Sequence, residues 1–288
     1  METVDTILVE SSASLSNKIA VITGAGGAIC SVVATALANL GVKVVLLDMN
    51  KMAVETVCET ITALGGETLG IVADVLDTVA LEEAYRQVEQ KWGAPDFLIN
   101  GAGGNREAAS TQVEYIDTSR EGWQKEHHFL QLDLKAFDET VRLNLLGTVL
   151  PTQVFSRGMI EKGRGAIVNF ASMSGFVPLT KVPAYSAAKA AVASFTKWIA
   201  VHYAHAGVRV NAIAPGFVMS EQLKFLHIDS HTGSYTDRAR KVVAHTPLQR
   251  YAQPEELIGV IVWLLSDAAR FVTGDVIPID GGFSSYTI

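Results

Sequence analysis

A chain of 288 residues, 49% of them hydrophobic, has material for one large α/β core or two small ones. Its formal charge of −7 comes without any basic cluster, which argues against a nucleic-acid partner, because phosphate binding draws on a positive stripe. The longest apolar runs, such as 259–265, are far too short to span a bilayer, so no membrane partner is expected.

Residues 1–17 read as a polar, acidic extension lacking the charged and apolar regions of a signal peptide, and a cytoplasmic setting is expected. Cys30 and Cys58 sit in no Cys-x-x-Cys or Cys/His pattern, which fits a reducing compartment and no metal site. Eight prolines are spread thinly and no Ser/Gly/Pro-rich stretch divides the chain, so 18–288 reads as a single domain.

Along the chain, short apolar runs alternate with helix-like segments. Strands are expected at 18–23, 43–47, 68–72, 97–100, 166–170, 208–213 and 276–279. Helices are expected at 31–40, 51–64, 79–92, 134–161, 184–206 and 254–265. Continuous apolar strands flanked by amphipathic helices predict α/β architecture: a Rossmann-like, doubly wound parallel sheet with helices on both faces and a ligand crevice at the strand C-termini. Two long polar stretches, 104–133 and 219–246, break this rhythm and read as insertions over the crevice.

Between the first strand and its helix lies the turn Gly24, Ala25, Gly26, Gly27, Ala28, Ile29. Small residues there let backbone N–H groups close on a pyrophosphate at a helix N-terminus. Asp48 ends the second strand, where a carboxylate accepts from both adenosine ribose hydroxyls and repels a 2′-phosphate. The cofactor is therefore expected to be NAD, with capping of the next helix the competing role for Asp48. Asp74 and the run from Asn100 to Gly103 end the third and fourth strands and face the same crevice.

Tyr185 and Lys189 stand four apart, on one face of the helix expected at 184–206. A free phenol, with a pKa of about 10, is a poor base at neutral pH, and a neighbouring ammonium together with an oxidised nicotinamide stabilises its phenolate. Ser172, just past an apolar strand, brings a hydroxyl to hold a substrate oxygen beside that phenol. Asn144, inside a long helix, is disfavoured there unless its amide is occupied; a local bend holding a relay water is one explanation and a tolerated Asn the other.

Taken in order, the glycine turn, Asp48, Asp74-Val75, the Asn-x-Ala-Gly at Asn100, Asn144, Ser172, Tyr185 with Lys189, and the NAIAPG at 211–216 resemble the short-chain dehydrogenase/reductase family from about residue 15 to 283. The resemblance implies that Ser172 polarises a carbonyl, Tyr185 passes the proton, Lys189 lowers its pKa and holds the cofactor ribose, and Asn144 holds the relay water. It implies that Asp74, Val75, Asn100, Ala102 and Gly103 line the adenosine half of NAD, with Pro215, Gly216, Val218 and Ser220 around the nicotinamide. It also implies a homodimer or homotetramer built on the leftover faces of helices around 145–161 and 184–206.

The family's last two turn glycines are replaced by Ala28 and Cys30, and Cys30 falls where glycine usually serves close helix–strand packing. The Cys-ended turn, the run Asn100 to Asn105 and the stretch LTKVPAYSAAK are similar to one group within that family, the D-mannonate oxidoreductases (fructuronate reductases) of this short form. That likeness implies D-fructuronate/D-mannonate as the substrate pair. Such a substrate carries a carboxylate, for which Lys181 and Arg106 are the cationic candidates, with His127 and His128 behind them and Asn105 and Ser174 as polar neighbours. Another polyol, sugar or keto-acid is the alternative within the same chemistry. A catalytically silent dinucleotide-binding sensor or scaffold is the competing class, and the joint presence of Ser172, Tyr185 and Lys189 argues against it.

Overall fold

Each inner β-strand begins and ends within a few residues of an apolar run, because a parallel strand buried on both faces needs apolar side chains at successive positions. The computed structural model describes residues 15–220, 227–229 and 232–287; residues 1–14 of the polar extension, and 221–226 and 230–231 of the second insertion, lie outside them. In chain order the elements are β1 (Ile19–Thr23), α1 (Cys30–Asn39), β2 (Lys43–Asp48), α2 (Lys51–Ala63), β3 (Thr68–Val72), α3 (Thr78–Trp92) and β4 (Phe97–Asn100). After the first insertion come α4 (Leu134–Val141), α5 (Gly147–Phe155), α6 (Arg157–Lys162), β5 (Gly165–Phe170), α7 (Pro183–Tyr203) and β6 (Val208–Pro215). They are followed by α8 (Asp237–His245), α9 (Ile258–Leu265) and β7 (Val276–Ile279).

The strands form one parallel sheet in the order β3-β2-β1-β4-β5-β6-β7. Alternate side chains enter opposite layers. Ala20, Ile22, Val44, Leu46 and Ile99 pack with Val33 and Leu37 of α1, Ile61 of α2 and Leu264 of α9. Val21, Val45, Leu47, Leu98 and Ile167 pack with Leu81 and Val88 of α3, Phe155 of α5 and Ile199 of α7. The doubly wound α/β fold expected from the sequence is borne out. The two edge strands depart from two-sided burial: Val72 of β3 and Pro278 of β7 are exposed. Strand order reverses between β1 and β4, so their C-terminal ends, Thr23 and Asn100, open the crevice.

The single helix expected over 134–161 is instead three pieces with a π turn, Arg142–Leu146, between α4 and α5. The Asn144 amide donates to the Thr140 carbonyl at 2.8 Å, a group that the backbone ladder would otherwise use, so the helix widens there rather than bending. The 104–133 insertion carries only short 3-10 turns, at Glu107–Ala109, Trp123–Lys125 and Phe129–Gln131. Among the described residues, no helix is long and apolar enough to cross a membrane.

Beneath the crevice, fully buried polar side chains join the sheet to the helix layer of α5 and α7. Asn100 Nδ2 donates to Asn169 Oδ1 at 2.8 Å and to Thr152 Oγ1 at 2.9 Å, while Asn169 Nδ2 donates to Thr196 Oγ1 at 2.9 Å. Such groups cost little when paired and much when one partner is lost. Asn169→Ala should therefore lower unfolding free energy by about 1–3 kcal/mol, because Asn100 Nδ2 and Thr196 Oγ1 each lose one buried bond while keeping another, to Thr152 Oγ1 and to Val192 O. Urea denaturation checks this, and a loss below about 0.5 kcal/mol would show that the network carries no such weight.

Candidate active site

The glycine turn works through close backbone approach. Gly24 has φ +65, and a Cβ there would lie 2.8 Å from Ala102 Cα, so only glycine lets the turn after β1 lie against the turn after β4. Thr23 at the end of β1 locks the pair, its Oγ1 accepting from Gly101 N and Ala102 N at 3.1 Å each. At Gly26 a Cβ would meet Ala53 Cβ at 2.5 Å, and Gly27 and Ala28 are exposed at the mouth of the turn. The N–H groups of Ala25, Gly26 and Gly27 are taken by Leu47 O, Asp48 Oδ2 and Gly24 O. That leaves those of Ala28 and Ile29, at the start of α1, to cradle a pyrophosphate. Ile29 already has helical backbone angles and leads into that helix.

Asp48 is bound into the same cradle. Its Oδ2 accepts from Gly26 N at 3.0 Å and its Oδ1 from Asn50 N at 2.9 Å. Asn50, rather than Asp48, caps α2 through Ala53 N. The carboxylate thus stays oriented toward the turn, with lone pairs left for ribose hydroxyls. Asp74 is exposed and accepts from Leu76 N, whereas Val75 is buried against the Gly147 end of α5. Asn100 turns its side chain into the buried network, leaving its backbone, with Ala102 and Gly103, to border the crevice.

Cys30 fits because of a residue to which its own sequence neighbours give no clue. Its thiol lies where a Cβ of residue 101 would stand, and residue 101 is glycine. The volume added at one position is removed at the other. Burial and the nearby Asp48 carboxylate push the Cys30 thiol up to about 12, so it is a packing group and not a thiolate.

At the chemical end, Lys189 is buried and its Nζ donates to the Phe170 carbonyl at 2.7 Å, at the tip of β5. The ammonium lies 5.6 Å from the Tyr185 ring centre. The Ser172 hydroxyl lies beside the Tyr185 phenol, where it favours the phenolate, and its Oγ accepts from Ser174 N at 3.2 Å. Ser174 is buried with its Oγ unpartnered among the described residues. The structure therefore brings Ser172, Tyr185 and Lys189 together at one strand end. Burial lowers Lys189 to about 8. Before a cofactor binds, the Tyr185 phenol is raised, its burial outweighing the Ser172 contact.

Asn144 acts as a clamp. Its Oδ1 accepts from Gly104 N at 3.1 Å and its Nδ2 donates to Gly104 O at 2.8 Å, as well as to Thr140 O. Both amide hydrogens are in use, so a relay water held by this side chain would have to use the remaining Oδ1 lone pair. A Cβ at Gly103 would meet Asn144 Oδ1 at 2.6 Å and Lys189 Nζ at 3.3 Å, so the absence of a side chain there brings clamp and ammonium together.

On the far side of the crevice, Gly216 N donates to Ile279 O at 2.9 Å, and a Cβ there would meet Asp280 Cα at 2.7 Å, fixing the turn after Pro215. Val218 is buried and bridges to Ala252, and Ser220 ends the described segment. The insertions flank this site. Arg106 pairs with Glu139 at 3.4 Å and Asn105 Nδ2 donates to Ser110 Oγ, so both are engaged locally. His128 is buried, caps the turn Phe129–Gln131 and packs beside Trp123, while the His127 carbonyl accepts from Gln112 N. Lys241 of α8 reaches Glu114 at 3.3 Å, joining the two insertions by an exposed pair of small energetic weight.

The sequence pattern of the short-chain dehydrogenase family matches residues 18–229. The chain belongs to that family. UxuB of Bacillus subtilis, an oxidoreductase of uncharacterized activity, is 43% identical over 275 residues, 95% of this chain and 97% of its own. A solved structure from Haemophilus influenza, provisionally named a D-mannonate oxidoreductase and holding NAD, superposes with TM-score 0.91 at 42% identity, over 96% of this chain and 99% of that one. D-threitol dehydrogenase of Mycolicibacterium smegmatis is 32% identical over 270 residues, 94% of each protein. This chain is an oxidoreductase acting on a CH–OH group.

The Cys30–Gly101 pairing generates a test. Gly101→Ala should cost about 1–3 kcal/mol of stability, and adding Cys30→Gly should recover most of it. A double-mutant cycle in urea with no coupling would rule the contact out as the reason that Cys30 is tolerated.

Proposed function

We propose that the chain interconverts D-fructuronate and D-mannonate, or a closely similar hydroxy-acid pair, with NAD(H), and that Ser172, Tyr185, Lys189 and Asn144 are its reacting and positioning groups. The observation that carries the redox reading is the convergence of a half-buried phenol, a buried hydroxyl and a buried ammonium at the tip of β5, across from the glycine cradle and Asp48. The sugar-acid substrate draws support from the likeness to the provisionally named Haemophilus structure.

The chain uses NAD, which supplies a two-electron hydride acceptor or donor. Gly24, Gly26, Gly27, Ala28 and Ile29 would face its pyrophosphate, and Asp48 its adenosine ribose. Asp74, Val75, Asn100, Ala102 and Gly103 would border the adenosine half, and Pro215, Gly216, Val218 and Ser220 the nicotinamide. In the oxidation direction the substrate carbon loses hydride and its hydroxyl loses a proton to Tyr185, leaving a carbonyl; reduction is the reverse. Ser172 holds the reacting oxygen, which carries negative charge in the transition state. Lys189 orients the ribose and carries charge beside the phenol. The same proposal has residues 18–288 as one catalytic domain acting in the cytoplasm as a homodimer or homotetramer, with exposed Trp198 and Val201 on α7 offering apolar surface to a second copy.

A second reading, oxidation of a neutral polyol, is favoured by the likeness to D-threitol dehydrogenase. A panel of sugar acids and polyols, followed by absorbance of the reduced nicotinamide, separates the two. The first reading requires turnover of mannonate or fructuronate well above neutral polyols, and the reverse preference would overturn it. Tyr185→Phe should lower kcat about 10²–10⁴-fold while NAD affinity is unchanged; activity within about threefold of the parent would remove Tyr185 from the chemistry.

The raised phenol also sets a pH dependence. A raised pKa keeps Tyr185 protonated at neutral pH, ready to donate in carbonyl reduction, while oxidation needs the phenolate and gains as pH rises. The kcat/KM for alcohol oxidation should increase up to about tenfold per pH step of one from about pH 7 to about pH 9. A flat profile over that range would contradict the assignment.

A further inference from the structure

Lys181 stands in an unusual conformation at a telling place. Its φ is +73, a left-handed backbone that glycine adopts freely and a residue with a long side chain adopts at a cost. It lies four residues before Tyr185, just ahead of α7, and its carbonyl accepts from Thr111 N at 2.9 Å. That bond ties the segment preceding the phenol to the 104–133 insertion. Because the bond uses only backbone, any residue could make it. Strain retained without a structural use of the side chain points to a functional use.

The charge pattern around it narrows that use. Of the cations of the insertions, Arg106 pairs with Glu139, Arg120 with Glu126 and Lys241 with Glu114, whereas Lys125 and Arg238 have no carboxylate at ion-pair distance among the described residues. Half-buried Lys181 has no carboxylate within ion-pair distance among the described residues. The chain as a whole carries −7, so an anionic ligand approaches against the net field unless a local cation receives it. An ammonium is a compact point charge that suits one carboxylate on a flexible, polyhydroxylated ligand.

We infer that Lys181 is the specificity-determining residue that receives the carboxylate of a polyhydroxylated acid while the ligand's hydroxyl or carbonyl meets Tyr185. This rests on the oxidoreductase reading of the Tyr185 site and gives that site its substrate class. It separates the two candidate substrate classes by one charge: mannonate has the carboxylate, and a neutral polyol such as mannitol does not.

The test is a binding measurement, independent of turnover. D-mannonate and mannitol are titrated by calorimetry into the NADH-loaded full-length protein and its Lys181→Met, Lys181→Arg and Lys181→Gly variants. The expected result is D-mannonate affinity falling about 10–100-fold in Lys181→Met and Lys181→Gly and largely retained in Lys181→Arg, with mannitol binding unchanged throughout. Lys181→Gly, which removes the backbone strain, should melt at or above the temperature of the parent. Equal binding of mannonate and mannitol by the parent, or equal losses for both in Lys181→Met, overturns the inference. Lys181-dependent mannonate binding without turnover of mannonate or fructuronate upholds the carboxylate contact and overturns the fructuronate/mannonate reaction instead. Tyr185-dependent turnover of either without Lys181-dependent mannonate binding does the opposite.

Discussion

A buried ammonium must find an oxygen, and Lys189 finds the carbonyl at the tip of β5. That bond pins α7 to the centre of the sheet and sets where Tyr185 can stand. Gly103 has no side chain because the ammonium and the Asn144 amide occupy the space. The ends of β4 and β5, the π turn and α7 therefore meet around one charge. Burial lowers the Lys189 pKa to about 8, so the charge is held less firmly than on an exposed lysine.

The opposite wall is fixed by short backbone contacts instead. Thr23 receives two amides from the turn after β4, Gly24 lies against Ala102, and the Cys30 thiol fills the volume that Gly101 leaves open. A rigid cradle and a rigid reacting group, each tied to the sheet, give the preorganisation that hydride transfer needs. Beneath both runs the Asn100–Asn169–Thr196 network, which couples β4, β5 and α7 through buried side chains.

Much of this is legible in the order of residues. Apolar runs of strand length between amphipathic helices dictate the parallel sheet, and the four-residue spacing of Tyr185 and Lys189 dictates that they share a helix face. Ser172 and Asp48 are legible because each ends an apolar strand. The relations across the crevice are not. Nothing in the spacing of Cys30 and Gly101 says that one compensates the other; the hint is a bulky residue in a turn of small ones. Asn144 reads as a bend, since a side chain competing for a helical carbonyl can equally kink or widen the ladder. Arg106 reads as an available cation because its partner, Glu139, lies on another element. The direction of the Tyr185 shift depends on burial, which periodicity does not report.

Asn144 grips both the N–H and the C=O of Gly104, the last point before the backbone leaves for its long excursion. Whatever happens downstream, the strand end and the helix behind it keep their register. Changes within 105–133 that spare Ala109 and Thr111, which touch α7 and the segment ahead of it, can therefore be made without disturbing the end of β4. Selectivity can drift while the chemistry stays put, as when a keyed faceplate is exchanged on an unaltered lock.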